Sequence, residues 1–263
     1  MNQIHYNYTP IGLKILKFID YHSRMNTSKF WEESIPLGFY DIISKEGVVN
    51  GKGLQSFWHL QTYKQVSSYI IDSKIHLDYA CGSGFFINYC KNKNSLGVDI
   101  SINQIEYAKK TYPEYDFYSL SDFDISAHGP FDTVTAIGLL EYLTDDEIHK
   151  LIGNLLSNIK SGGKVIFTTP NYNLSMKFIE FISYTFGGLD YRTVNINQLT
   201  KKKAINIFEQ HKAISIKIKK IHNSGVLFSI FNHKLAGYVE TFLERLFKNR
   251  FGFLLMIVIE KNE

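Results

Sequence analysis

Nine residues, His76-Leu77-Asp78-Tyr79-Ala80-Cys81-Gly82-Ser83-Gly84, restrict this chain more than any others. They read as a buried strand ending in a tight glycine turn, followed by a helix from Phe85 to Lys91. Gly82 and Gly84 have no Cβ, so the main chain can bend sharply there and let a ligand lie against it. The helix offers unpaired N–H groups at its start. A second short apolar strand, Ser95 to Val98, runs into Asp99. Adjacent parallel strands would place Asp78 and Asp99 at their carboxyl ends, where open α/β sheets bind ligands.

From residue 74 onward strands and helices alternate. Strands are predicted at 74–79, 95–99, 115–119, 131–138 and 163–169, and helices at 84–91, 102–111 and 145–160. Short strands separated by helices imply a parallel sheet with helices on both faces. After Pro170 the rhythm changes, with a helix expected at 198–210 and strands at 213–221 and 252–260. Upstream, Ile11, Leu13, Ile15, Leu16, Phe18 and Ile19 form an apolar helical face, Gly47 to Gly53 reads as a loop, and Gln55 to Ile71 as an aromatic-rich helix. The expected organisation is an N-terminal helical cap over 1–72 and a core over 73–263. That core carries lid insertions at about 171–196 and 223–250.

A chain of 263 residues, 44% hydrophobic and 21% charged, suits a globular α/β core with additions. A net charge of +4 is too small to argue for nucleic acid. Cys81 and Cys90 form neither a disulfide framework nor a metal site, and few cysteines fit a cytoplasmic location. The longest apolar run, Phe253 to Ile259, is too short to cross a bilayer, so no transmembrane segment is expected. A homodimer stays open.

The motifs resemble those of the class I S-adenosylmethionine-dependent methyltransferases, in the small-molecule and quinone-pathway-like branch. Asp78-Tyr79-Ala80-Cys81-Gly82-Ser83-Gly84 is similar to the family's first motif, with Ala80 in place of the first glycine. Gly97-Val98-Asp99-Ile100-Ser101 resembles the second, Ser121-Asp122-Phe123 the third, and Phe131 to Leu143 the fourth. Gly162 to Asn171 resembles the fifth strand and its Thr-Pro-Asn exit.

The resemblance implies a Rossmann-like seven-stranded sheet of order 3-2-1-4-5-7-6 with the last strand antiparallel. It implies that Asp99 takes the two ribose hydroxyls of S-adenosylmethionine, with Ile100 and Gln104 flanking the adenosine and Ser121, Asp122 and Phe123 near the adenine. Asp78, Ala80, Cys81, Gly82, Gly84, Ile137, Gly138, Leu139 and Tyr142 complete the implied cofactor site, and Trp58 folds over the methionine end. The plain structural alternative is a turn cap for Asp78 or Asp99 and a core residue for Trp58.

The implied reaction is methyl transfer to a small-molecule acceptor at a hydroxyl oxygen, leaving S-adenosylhomocysteine. An amine, or a glycan or lipid-linked sugar, is the alternative acceptor. A catalytically silent partner subunit is a further alternative. Glu141, Tyr172, Tyr184 and Tyr191 are the acceptor-side candidates. His59 is the candidate base, with His22 and His222 behind it. No metal is expected. A nicotinamide-dependent oxidoreductase would need Gly-x-Gly-x-x-Gly, but Ile87 and Ala80 interrupt that pattern.

Overall fold

The computed structural model describes residues 27–173, 176–177, 191, 194–211, 214–247 and 250–262. The helical face predicted over 11–19, His22, Tyr184 and most of the predicted 171–196 lid lie outside the described residues.

Seven strands form one sheet: β1 His76–Tyr79, β2 Ser95–Asp99, β3 Asp116–Ser119, β4 Phe131–Ile137, β5 Ile159–Pro170, β6 Ile214–Ile221 and β7 Leu254–Lys261. Their order is β3-β2-β1-β4-β5-β7-β6. The first five strands are mutually parallel. The last strand, β7, slots between β5 and β6 and runs antiparallel to both. This is the Rossmann-like sheet and order expected above.

The main helices are α1 Phe39–Asn50, α2 Leu54–Ser67, α3 Phe85–Cys90, α4 Ile102–Thr111, α5 Asp145–Ser157, α6 Lys201–Phe208 and α7 His233–Phe247. One face of the sheet is covered by α5 and α6, with Ile148, Leu151, Ile152 and Leu155 of α5 buried at helical spacing. Thr144 and Glu147 close a capping box that fixes where α5 begins. The other face carries Tyr63, Val66 and Ile70 from α2 and its exit, packed with Phe85 and Phe86 against Ile166, Met256 and Val258.

Several boundaries differ from the sequence reading: the aromatic-rich helix ends at Ser67, β5 begins at Ile159, and α6 spans only Lys201–Phe208. Gly47 lies inside α1, not in a loop, and faces α2 so closely that an added Cβ would sit 2.4 Å from the Ser56 Cβ. Its bareness lets α1 and α2 touch, and Gly51 caps α1 with its N–H on the Gly47 carbonyl at 3.0 Å. Helix α5 stops at Ser157, three residues early, because Ile159 already pairs with Phe131 across a bulge, which Gly162 serves with a φ of +71°.

Gly84 shows how tightly the turn is built. Its φ is +78°, and an added Cβ would meet the Phe117 ring at 2.8 Å and the Ala108 Cβ at 3.2 Å. Gly84→Ala is therefore expected to destabilise the fold by about 3 kcal/mol through backbone strain plus overpacking. A lowered urea midpoint at unchanged slope is the readout; an unmoved midpoint would contradict this reading.

Among the described residues, no helix is long and apolar enough to cross a membrane.

Candidate functional site

The carboxyl edges of β1, β2 and β4 open into a cavity of about 300 Å³. Its floor is the glycine turn. Ala80 takes a φ of +68°, in the left-handed region that favours glycine, and the N–H groups of Ala80 and Cys81 both donate to the Val98 carbonyl, at 2.7 and 3.0 Å. The turn is thereby clamped to β2.

Asp99 completes the clamp. The Gly82 N–H donates to Asp99 Oδ2 at 2.7 Å, and the Ser101 N–H donates to Oδ1 at 2.9 Å. Burial raises the Asp99 carboxyl above its usual range, and these backbone donors pull it back down. A carboxylate has about four lone-pair sites, more than these backbone donors and the neighbouring Ile100 N–H use, so acceptor capacity remains for a hydroxyl of a vicinal diol. The donor set thus fits a ribose.

Asp78 sits deeper, 2% exposed, and accepts from Thr135 Oγ1 at 2.7 Å. Burial pushes its carboxyl up to about 7; the Thr135 hydrogen bond opposes the rise and the Asp99 charge adds to it. Behind Thr135 the chain of contacts continues to His76 Nε2 at 2.9 Å and from His76 Nδ1 to Ser95 Oγ at 2.8 Å. With Thr135 donating to Asp78, His76 donates from Nε2; burial lowers its imidazole to about 3, so the ring is neutral and Nδ1 accepts from Ser95.

The upper walls are aromatic. Trp31 meets Tyr142 edge-on at 4.9 Å, and Phe30 meets Tyr191 at 6.0 Å. Tyr40 and Tyr191 share a hydroxyl–hydroxyl hydrogen bond of 3.0 Å. His59 lies edge-on to Tyr40 at 5.3 Å and stacks on Tyr63 at 6.0 Å. Removal from water lowers the His59 imidazole to about 4, so it is uncharged at neutral pH. The described lining includes Asp78, Asp99 and Glu141 and no lysine or arginine.

Of the residues singled out from sequence, Trp58, His59, Asp78, Ala80, Cys81, Gly82, Asp99, Ile100, Gln104, Ile137, Gly138, Leu139, Glu141, Tyr142, Tyr172 and Tyr191 all line this one cavity. Gly84 stands behind it, against Phe117 and Ala108. Ser121, Asp122 and Phe123 do not line it. The Ser119 hydroxyl is bonded to Ser121 Oγ at 2.7 Å and Asp122 Oδ2 at 2.8 Å, while Phe123 stacks on His128 at 5.0 Å. His222 is buried behind α2, with Nε2 at 2.8 Å from Thr62 Oγ1.

Sequence reasoning missed Trp31, Tyr40, Gln55 and Met176 in the wall. The aromatic doublets Phe30-Trp31 and Phe39-Tyr40 were the available signal. It also missed what seats them. The buried Asp41 accepts from Lys45 Nζ at 2.8 Å, from the Tyr107 hydroxyl at 2.6 Å and from the Tyr112 hydroxyl, while its own N–H donates to Ser83 Oγ at 3.1 Å. Helix α1 is thus tied directly to the glycine turn.

A family described as a methyltransferase domain matches residues 56–214. A ubiquinone biosynthesis O-methyltransferase of Coxiella burnetii is 30% identical over 122 residues, covering 44% of this chain and 49% of that protein. The chain spans about half the length of the curated relatives it matches. The fold is similar to that of the plantazolicin methyltransferase BpumL in complex with SAH, with a TM-score of 0.57 at 17% identity, covering 96% of this chain and 99% of that one. It is also similar to magnesium protoporphyrin IX methyltransferase (ChlM) from Synechocystis PCC 6803 with bound SAH. There the TM-score is 0.54 at 15% identity, covering 95% of this chain and 94% of that one.

Proposed function

The chain belongs to the methyltransferase domain family, and from that premise we propose that it uses S-adenosylmethionine to methylate a hydroxyl oxygen of a small, flat, uncharged acceptor. The observation that carries this reading is a single cavity. It joins the clamped glycine turn and two carboxylates below to an aromatic chamber above. The C. burnetii relative, named an O-methyltransferase, supports oxygen as the acceptor atom.

Asp99 would accept from the ribose hydroxyls with its remaining lone-pair capacity, beside its bonds to Gly82 and Ser101. Asp78 lies within the same floor and would offset positive charge there. When bound, S-adenosylmethionine supplies a methyl group already activated on a sulfonium. The chain's own work is then positioning. Trp31, Tyr142 and Tyr191 offer flat faces and edges to a ring, and their apolar surface would shed water from an acceptor seated against them.

His59 is the proton acceptor in this reading. A weak imidazole suffices, because a hydroxyl becomes a strong acid as its oxygen gains the new carbon. The neutral ring at pH 7 is free to take that proton.

A second reading, an amine acceptor, is favoured by the cationless lining with its three carboxylates. One assay separates the two. The protein is incubated with methyl-labelled S-adenosylmethionine and matched phenol and amine panels, and products are identified by mass spectrometry. Label on phenolic oxygen, lowered by His59→Gln roughly a hundredfold or more in kcat, is the expected result. Label on nitrogen alone would move the acceptor assignment to the amine. No transfer to either panel, with the cofactor bound, would favour a silent partner subunit.

A further inference from the structure

Helix α7 exposes its apolar stripe to solvent. Leu235, Tyr238, Phe242 and Leu246 recur at helical spacing and are 48%, 77%, 64% and 59% exposed. Phe231 and Phe251, 76% and 61% exposed, extend the patch beyond the two ends of the helix. A soluble helix normally turns such a stripe inward. Here the opposite face is the one that is pinned. Glu240 is buried, accepting from the Asn223 N–H and side chain; Glu244 accepts from Gln65 Nε2 at 3.3 Å; His233 bonds the Gly53 carbonyl at 2.9 Å and packs on Phe57. The outward stripe is therefore fixed by the fold.

The exposed charges that the helix carries beside the stripe are cations: Lys234 and Arg245, with Arg250 just past its end. Along the described helix no carboxylate is exposed, since Glu240 is buried and Glu244 half-buried. Large exposed apolar patches mark interaction sites. An aromatic stripe flanked by cations is the composition of helices that lie in the plane of a membrane interface. A two-fold contact with a second copy would bring these same cations face to face with no exposed carboxylate on the helix to answer them.

We propose that α7, with Phe231 and Phe251, is a docking face for an anionic lipid surface. The helix packs on α2 through Phe57 and Gln65, and the neighbouring α2 residues Trp58, His59 and Thr62 line the cavity. Docking there would set the bilayer against the two helix layers, α7 and α2, that stand between it and the cavity.

The test is sedimentation of the full chain with vesicles of phosphatidylcholine alone, or mixed with phosphatidylglycerol. The proposal expects at least tenfold stronger association with the mixed vesicles, weakening as salt rises. A Tyr238→Glu/Phe242→Glu variant should lose that association at least tenfold while its near-ultraviolet circular dichroism is unchanged. Should that variant fold poorly, Lys234→Glu/Arg245→Glu keeps the stripe and should lose the preference for anionic lipid. Two results would overturn the proposal. One is wild-type protein that ignores mixed vesicles at low salt. The other is a double variant that turns a dimer into a monomer in sedimentation equilibrium without altering vesicle binding.

Discussion

Asp99→Asn is expected to weaken binding of S-adenosylhomocysteine roughly a hundredfold, about 3 kcal/mol. The carboxylate holds about four lone-pair sites and commits one on each oxygen to the N–H groups of Gly82 and Ser101, with the Ile100 N–H as a further backbone donor. An asparagine keeps one acceptor oxygen and turns an NH2 toward groups that are themselves donors. One backbone donor then loses its partner, and the ribose loses its charge-assisted acceptor. The turn itself should survive, because the Ala80 and Cys81 N–H groups still hold the Val98 carbonyl. The prediction is thus specific: calorimetry should show the affinity lost while the thermal midpoint moves by only a few degrees. Affinity within threefold of wild type would remove Asp99 from the ribose site. A collapsed midpoint would make it a structural clamp alone.

The parts of this site that could be read from sequence are those whose chemistry is local. The turn from Asp78 to Gly84 needs its glycines, because Gly82 and Gly84 adopt φ values of +52° and +78°. Asp99 is legible because it closes a short apolar strand, and Tyr79↔Val98 pairing puts its exit beside that of β1. What stayed hidden depends on distant contacts. Trp31 and Tyr40 enter the cavity because Asp41 ties α1 to Ser83 and because the Gly38 N–H donates to Gln104 Oε1 at 3.1 Å. No spacing along the chain encodes those contacts. Ser121 and Asp122, polar residues after a strand, are exposed outside the cavity lining and hydrogen-bond with Ser119 at that corner, an arrangement that their spacing does not encode. Likewise, Leu235 to Leu246 scans as ordinary amphipathic packing. Only the buried Glu240 on the far face reveals that the stripe looks outward.

Acid should unfold this protein through its buried histidines. His76 is fully buried and His222 1% exposed, and burial lowers both imidazoles to about 3 from the usual 6.5. Between about pH 6.5 and 3 the unfolded chain takes up a proton at each that the native state refuses. Their stabilisation is therefore complete above pH 6.5 and is lost as pH falls, at about 1.4 kcal/mol per histidine per pH unit. Asp78 works the other way. Its folded value, about 7 against 3.8, means that the native state keeps a proton the unfolded chain has released, so its contribution disappears as pH rises from about 4 to 7. Two histidines outweigh one aspartate, and the sum of these three groups falls with acid.

His76 and Asp78 are joined through Thr135, so removing the imidazole tests both the sign and the wiring. His76→Gln retains hydrogen-bonding capacity toward Ser95 and Thr135 but cannot titrate. Urea denaturation at a series of pH values should show the slope of stability against pH reduced by about 1.4 kcal/mol per unit between pH 6 and 4. A slope identical to wild type would mean that His76 takes up its proton in the folded state. In the Ser95–His76–Thr135–Asp78 chain the ring would then be a cation donating from both nitrogens, and burial would not be what holds it neutral.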